Sequence, residues 1–143
     1  MVKRLKIATL DKGWHDKDEV LLHAAFQLLT DFVEQEQPDK LVDWDADELH
    51  RSAWEEITGL YKWWTKTRPK RRSPLDDKKL KQPPFKFKKV PGSDMRELVT
   101  PDKKKYAGYY QALEEHARLE NEWCEEDQRN LHRLIEIRGF LWT

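Results

Sequence analysis

From Thr100 to Gly139 the chain offers almost nothing that would stop a helix. Thr100 can cap one, Pro101 suits its first position, and only Gly108 interrupts before Gly139. A continuous helix over 101–138 would run about 57 Å at ~1.5 Å per residue. A chain of 143 residues folds to a radius of gyration near ~14.5 Å. Such a helix either kinks, near Gly108 or in its polar middle, or extends into a second chain. Its ends are apolar, with Tyr106, Tyr109, Tyr110 and Leu113 at one and Leu131, Leu134 and Ile135 at the other, while 114–130 is mostly charged. Two sticky ends around a polar centre predict a helix that packs twice, and so a homo-oligomer. Composition points the same way. Hydrophobic and charged residues each make up 38%, too little apolar surface for a comfortable monomeric core and too much charge.

Two further helices are legible. Over 16–36, Asp16 caps and Glu19 follows three residues later. Leu21, Ala25, Leu28, Phe32 and Leu22, Phe26, Leu29, Val33 form two adjacent apolar rows, with His23, Gln27, Thr30 and Glu34 as the polar back. Pro38 closes it. Over 45–68, Asp45 caps, Glu48 follows, and Leu49, Ala53, Ile57, Leu60 and Trp64 form the core row until Pro69. Residues 70–100 are Pro- and Lys-rich, and Pro83-Pro84 favours extended backbone. Phe85-Lys86-Phe87-Lys88 alternates and predicts a short strand, pairing with the weakly alternating residues 4–9 in a two-stranded ribbon. The expectation is an all-α chain forming a single domain over 1–143, with three main helices at about 16–36, 45–68 and 101–138 and an extended basic arm or loop at 70–100.

Lys+Arg and Asp+Glu are 27 each, but they are segregated. Residues 1–60 hold 7 bases and 14 acids, 61–105 hold 16 and 5, and 106–143 hold 4 and 8. A tract of net charge +11 between acidic helices either docks on those helices or meets an anionic partner. Its head, from Tyr61 to Arg72, interleaves aromatics with cations. Adjacent helical positions point about 100° apart, so Trp63 and Trp64 are not expected to face one core. Trp64 falls on the core row. Trp63 is the exposed candidate, beside the space that Gly59 leaves one turn back. Aromatic planes beside cations suit a nucleotide-type ligand, with Tyr61 and Trp63 stacking and Arg68, Lys70, Arg71 and Arg72 holding phosphate. The acidic helices would repel a long polyanion, which disfavours nucleic acid.

Other chemistries find less support. Glu55 and Glu56 with Glu122 and Glu126 suggest the paired acids of a Mg-dependent all-α nucleotide pyrophosphohydrolase, but adjacent glutamates point apart on a helix. Glu120 and Asp127 fall on an inward row with Leu113, Ala117, Cys124 and Leu131, and need cationic partners, from the segment 66–72 or from Arg118 and Arg129. The five histidines lack metal-site spacing, the lone Cys124 allows no intrachain disulfide, and no nucleotide-loop or nucleophile motif occurs. No metal or cofactor is expected. No apolar run spans a membrane, and the N-terminus lacks a signal-peptide core, which predicts a cytoplasmic protein.

The pattern Glu56-x3-Leu60-Tyr61-x-Trp63-Trp64-x3-Arg68-Pro69-x-Arg71 resembles that of small uncharacterised proteins of tailed bacteriophages. So does the helix containing Ala25-Phe26-x-Leu28-Leu29-x2-Phe32-Val33-Glu34-x-Glu36. The resemblance covers about residues 14–72. It implies a phage protein made in the bacterial host cytoplasm, of a class that often antagonises host defence. The combined expectation is a non-enzymatic phage accessory protein that binds an anionic, nucleotide-type ligand. Two alternatives stand beside it: a protein–protein interaction module whose basic arm docks on an acidic protein surface, and the pyrophosphohydrolase.

Overall fold

The computed structural model describes residues 4–143. The chain is mainly helical with a small two-stranded antiparallel sheet. Four helices occur in the order α1 (Lys17–Gln35), α2 (Pro38–Leu41), α3 (Glu48–Lys62) and α4 (Ala107–Glu136), with strands β1 (Phe87–Lys89) and β2 (Arg96–Leu98) between α3 and α4. The described residues form two compact units. One runs up to Arg71 and takes in Cys124–Thr143; the other is Arg72–Trp123. The expected arm at 70–100 therefore belongs with the first part of α4.

In the first unit, Phe26, Leu29 and Phe32 of α1 pack with Ala53, Ile57 and Leu60 of α3, and with Trp44, Trp64, Leu134 and Ile137. The α1 stripe is rotated from its expected setting. Leu21 and Leu28 are 63% and 54% exposed, whereas His23 and Gln27, expected on the polar back, are buried. The cause is the N-terminal segment, which lies against that side through a turn at Ala8-Thr9. The Ala8 backbone N–H donates to Gln27 Oε1 at 2.9 Å, and Thr9 Oγ1 and His23 Nδ1 share a hydrogen bond of 2.6 Å. Both buried polar groups are thereby satisfied.

Helix α1 ends before Pro38 as expected. The short α2 that follows was not foreseen. Gln37 enters it at φ 50°, and Trp44 closes it by donating Nε1–H to the Pro38 carbonyl at 2.9 Å while stacking on Trp54 at 4.9 Å. The cap of α3 is Asp47 rather than Asp45, since the Asp47 carboxylate accepts the His50 backbone N–H at 2.8 Å. With the start moved two residues on, Leu49 falls in the exposed first turn and leaves the core row.

The second unit carries the ribbon. The expected strand around Phe87 forms, but its partner is β2 rather than residues 4–9, with Phe87 opposite Leu98, Lys88 opposite Glu97 and Lys89 opposite Arg96. A local hairpin closed by Gly92 at φ 76° costs far less loop entropy than pairing across 80 residues of chain. Helix α4 begins at Ala107, not at 101. The Asp102 carboxylate takes the backbone N–H groups of Lys104 and Lys105, a local turn that competes with helix. The 30 residues of α4 then run unbroken, about 45 Å at ~1.5 Å per residue.

Candidate functional site

The basic-aromatic end of α3 is a change of helix type. Trp63–Thr67 forms a π turn, in which the Arg68 N–H reaches back to the Trp63 carbonyl, and a 3-10 turn at Arg68–Lys70 follows. Pro69 lacks an N–H, so an α-helix could not continue through it unchanged. The wider turn narrows the angle between successive side chains. That overturns the expectation that the two tryptophans diverge. Trp64 stacks on Phe26 at 4.6 Å, and Trp63 meets the same ring edge-on at 5.3 Å. Trp64 is buried and Trp63 half-buried.

The cations of the turn meet carboxylates of α4. Arg68 grips Asp127 with two bonds, Nε to Oδ1 at 2.9 Å and Nη2 to Oδ2 at 3.0 Å. Arg71 Nη2 lies 2.9 Å from Asp127 Oδ1 and 2.6 Å from Glu126 Oε1. Trp63 Nε1–H donates to the same Glu126 oxygen at 2.9 Å. The guanidiniums also face the indoles, Arg68 over Trp64 at 4.8 Å and Arg71 over Trp63 at 5.8 Å. The Arg68 and Asp127 side chains are only 23% and 17% exposed. Burial pushes the Asp127 carboxyl up, but the bonds from Arg68 and Arg71 outweigh it and hold the group below its ordinary range. Glu126 is lowered against the same opposition by Arg71 and Trp63. Burial pulls Arg71 down, and its two carboxylates more than restore it. Two cations and two anions cancel, so the network is neutral.

Of the expected ligand-binding residues, Trp63, Arg68 and Arg71 thus converge on one another, but around Glu126 and Asp127. Tyr61 points elsewhere and donates its hydroxyl to Glu34 at 2.7 Å. Lys70 and Arg72 are both exposed. Asp127 takes the inward, arginine-paired position its row implied, whereas Glu120 does not: it is exposed and lies 3.1 Å from His116. The inward row here is Asp127, Asn130 and Leu134 of α4, with Ile137 just past its end. Three of the four carboxylates of the magnesium reading are engaged, Glu126 as above, Glu56 by two bonds from Arg133 at 2.8 Å and Glu122 by Arg118. Among the described residues no cluster of three His, Cys, Asp or Glu is placed to hold a metal ion, and no helix is long and apolar enough to cross a membrane.

The hairpin presents a different surface. Every residue of both strands is exposed. Directly opposed residues share a face, so Phe87, Leu98, Lys89 and Arg96 lie together on one side and Lys88 and Glu97 on the other. Phe87 and Leu98 are 63% and 53% exposed, and Phe85 before the strand is 84% exposed. Lys89 directly opposite Arg96 is a like-charge pair, which destabilises a ribbon left to itself. Sequence reasoning saw the strand but not this face, because the face depends on which strand pairs with it. No protein family, characterised protein or solved structure matches this chain.

Proposed function

We propose that the chain is a non-enzymatic binding module that docks on an acidic protein surface through the hairpin of residues 85–99. The observation that carries this reading is the exposed Phe87–Leu98 pair set beside the opposed cations Lys89 and Arg96. A partner that covers the apolar pair and brings carboxylates relieves both the exposed ring and the like-charge repulsion. Between 78 and 105 the chain has ten Lys/Arg against Asp94, Glu97 and Asp102. The aliphatic Leu98 beside the phenylalanines favours a protein over stacked bases. If the phage resemblance of residues 14–72 holds, the partner is a bacterial host protein and the activity a counter to host defence.

A nucleotide-type ligand at the α3 end would have to displace Glu126 or Asp127 from Arg68 and Arg71, leaving two partly buried carboxylates uncompensated. The test is titration of a dye-labelled hexaglutamate peptide, with ATP run in parallel. Binding of the peptide that weakens with salt and is lost in Lys89→Glu/Arg96→Glu supports the hairpin. No peptide binding, with ATP binding lost in Lys70→Ala/Arg72→Ala, would return the ligand to the helix end.

Self-association is a second reading, favoured by the outward Leu21 and Leu28 of α1, seven residues apart on one face, and by the 57% exposed Ile135 of α4. These are apolar side chains that a second copy would cover.

A further inference from the structure

We infer that the second unit holds an anchor slot for an aromatic side chain next to a carboxylate, so that the acidic partner is recognised through one seated ring; this rests on the hairpin reading above.

The slot is lined by three prolines, Pro83, Pro84 and Pro101, with Val99 and the half-buried Tyr106 completing its apolar lining. Its volume is about 190 Å³. Apolar cavities of roughly 150 Å³ accept benzene, so there is room for one six-membered ring. The walls are fixed in advance. Val99 N–H donates to the Lys86 carbonyl at 2.8 Å, and Tyr110 Oη donates to the Pro101 carbonyl at 2.8 Å. The Asp102 side chain is drawn toward the backbone by Lys104 N–H and Lys105 N–H, and the Tyr106 N–H bonds the Asp102 carbonyl at 3.0 Å. Proline walls have no rotamers to freeze, so little ordering entropy opposes a ligand.

Charge selects the ligand. Lys86 and Lys105 line the slot, and Lys81 and Lys105 place their ammonium groups 5.4 and 5.6 Å from the Tyr106 ring centre. Asp102, the one acid in the lining, already accepts two backbone N–H groups. A neutral aromatic would fill the volume but leave the lysines unanswered. A bare carboxylate would answer the lysines but leave the apolar walls wet. A phenylalanine or tyrosine flanked by glutamate or aspartate does both. The slot lies on the Lys86 and Val99 side of the ribbon, while Phe87 and Leu98 occupy the other face, so the two surfaces can be tested apart.

Fluorescence polarisation with two labelled peptides, Glu-Glu-Glu-Phe-Glu-Glu-Glu and the same sequence with Ala in place of Phe, decides the matter on the intact chain. The Phe peptide should bind about ten-fold or more tightly. Tyr106→Ala should erase that preference while leaving the Ala peptide unaffected, and Lys105→Glu, an exposed change that keeps the fold, should weaken the Phe peptide more than the Ala peptide. Equal binding of both peptides, or a preference that survives Tyr106→Ala, overturns the slot and leaves the hairpin reading standing. No binding of either peptide overturns both.

Discussion

Asp127 shows how one carboxylate can hold a helix end. It receives three bonds from two arginines at 2.9, 3.0 and 2.9 Å. Removing one member of a buried pair strands the other, at about 3–5 kcal/mol when burial is complete. Partial exposure here lowers the figure, so Asp127→Asn should cost roughly 2 kcal/mol in urea unfolding. Arg118→Ala, whose Glu115 and Glu122 partners are solvent-exposed, should leave the midpoint unchanged. His23 sets a pH dependence. Burial, and then the charge of Arg68, push its imidazole below its ordinary value. The folded chain therefore prefers the neutral ring, and the unfolded chain takes up the proton first. Stability should be full above the ordinary histidine pKa of about 6.5 and fall as pH drops below it. The urea midpoint, followed from pH 8 to 5, should decline over that range in the wild type and stay flatter in His23→Gln. A decline beginning only below pH 4 would assign it to carboxylates such as Asp127 instead.

At the scale of the element, burial and not hydrophobicity separates the two apolar rows of α1. Phe26 is fully buried against Trp63 and Trp64, while Leu21 looks outward. Phe26→Ala should cost about 3–5 kcal/mol and Leu21→Ala less than about 0.5, read from equilibrium denaturation. Helix α3 offers a gain. A methyl group added at Gly59 meets nothing within 4 Å, and glycine inside a helix is roughly 0.5–1 kcal/mol worse than alanine. Gly59→Ala should raise the melting temperature. The space beside Trp63 that the sequence suggested is real, and the variant that fills it also asks whether anything must enter there: loss of a binding activity alongside the gain in stability would show that something does.

At the scale of the whole molecule, apolar residues lie exposed on both compact units, Leu21, Leu28 and Ile135 on one and Phe85, Phe87 and Leu98 on the other. If the first set is covered by a second copy, sedimentation velocity should give a mass above the 17.3 kDa chain, and Leu28→Asp/Ile135→Asp should return it to that mass. A single-chain mass for the wild type would remove self-association and leave the hairpin as the chief contact surface. If the second set meets an acidic partner, its affinity should fall steeply between low and high salt.

Periodicity made the three long helices legible, and Pro38 and Pro69 marked the ends of two of them, because helix formation and its interruption are local; the capping signals misplaced the starts of α3 and α4. The pairing of Asp127 with the cations at 66–72 was legible too, since a carboxylate on an apolar row must find a countercharge. What tertiary structure alone decided were matters of competition between surfaces. The arm of residues 4–12 chose which side of α1 is buried, and hydrogen bonds to His23 and Gln27 turned a polar back into an interior. The hairpin chose its own neighbour because a short loop closes at lower entropic cost than a long one. The π turn at Trp63–Thr67 accompanies the meeting of two adjacent tryptophans with one phenylalanine. Each outcome depends on residues far apart in the chain or on a local change of helix pitch, and a pattern read at constant period carries neither.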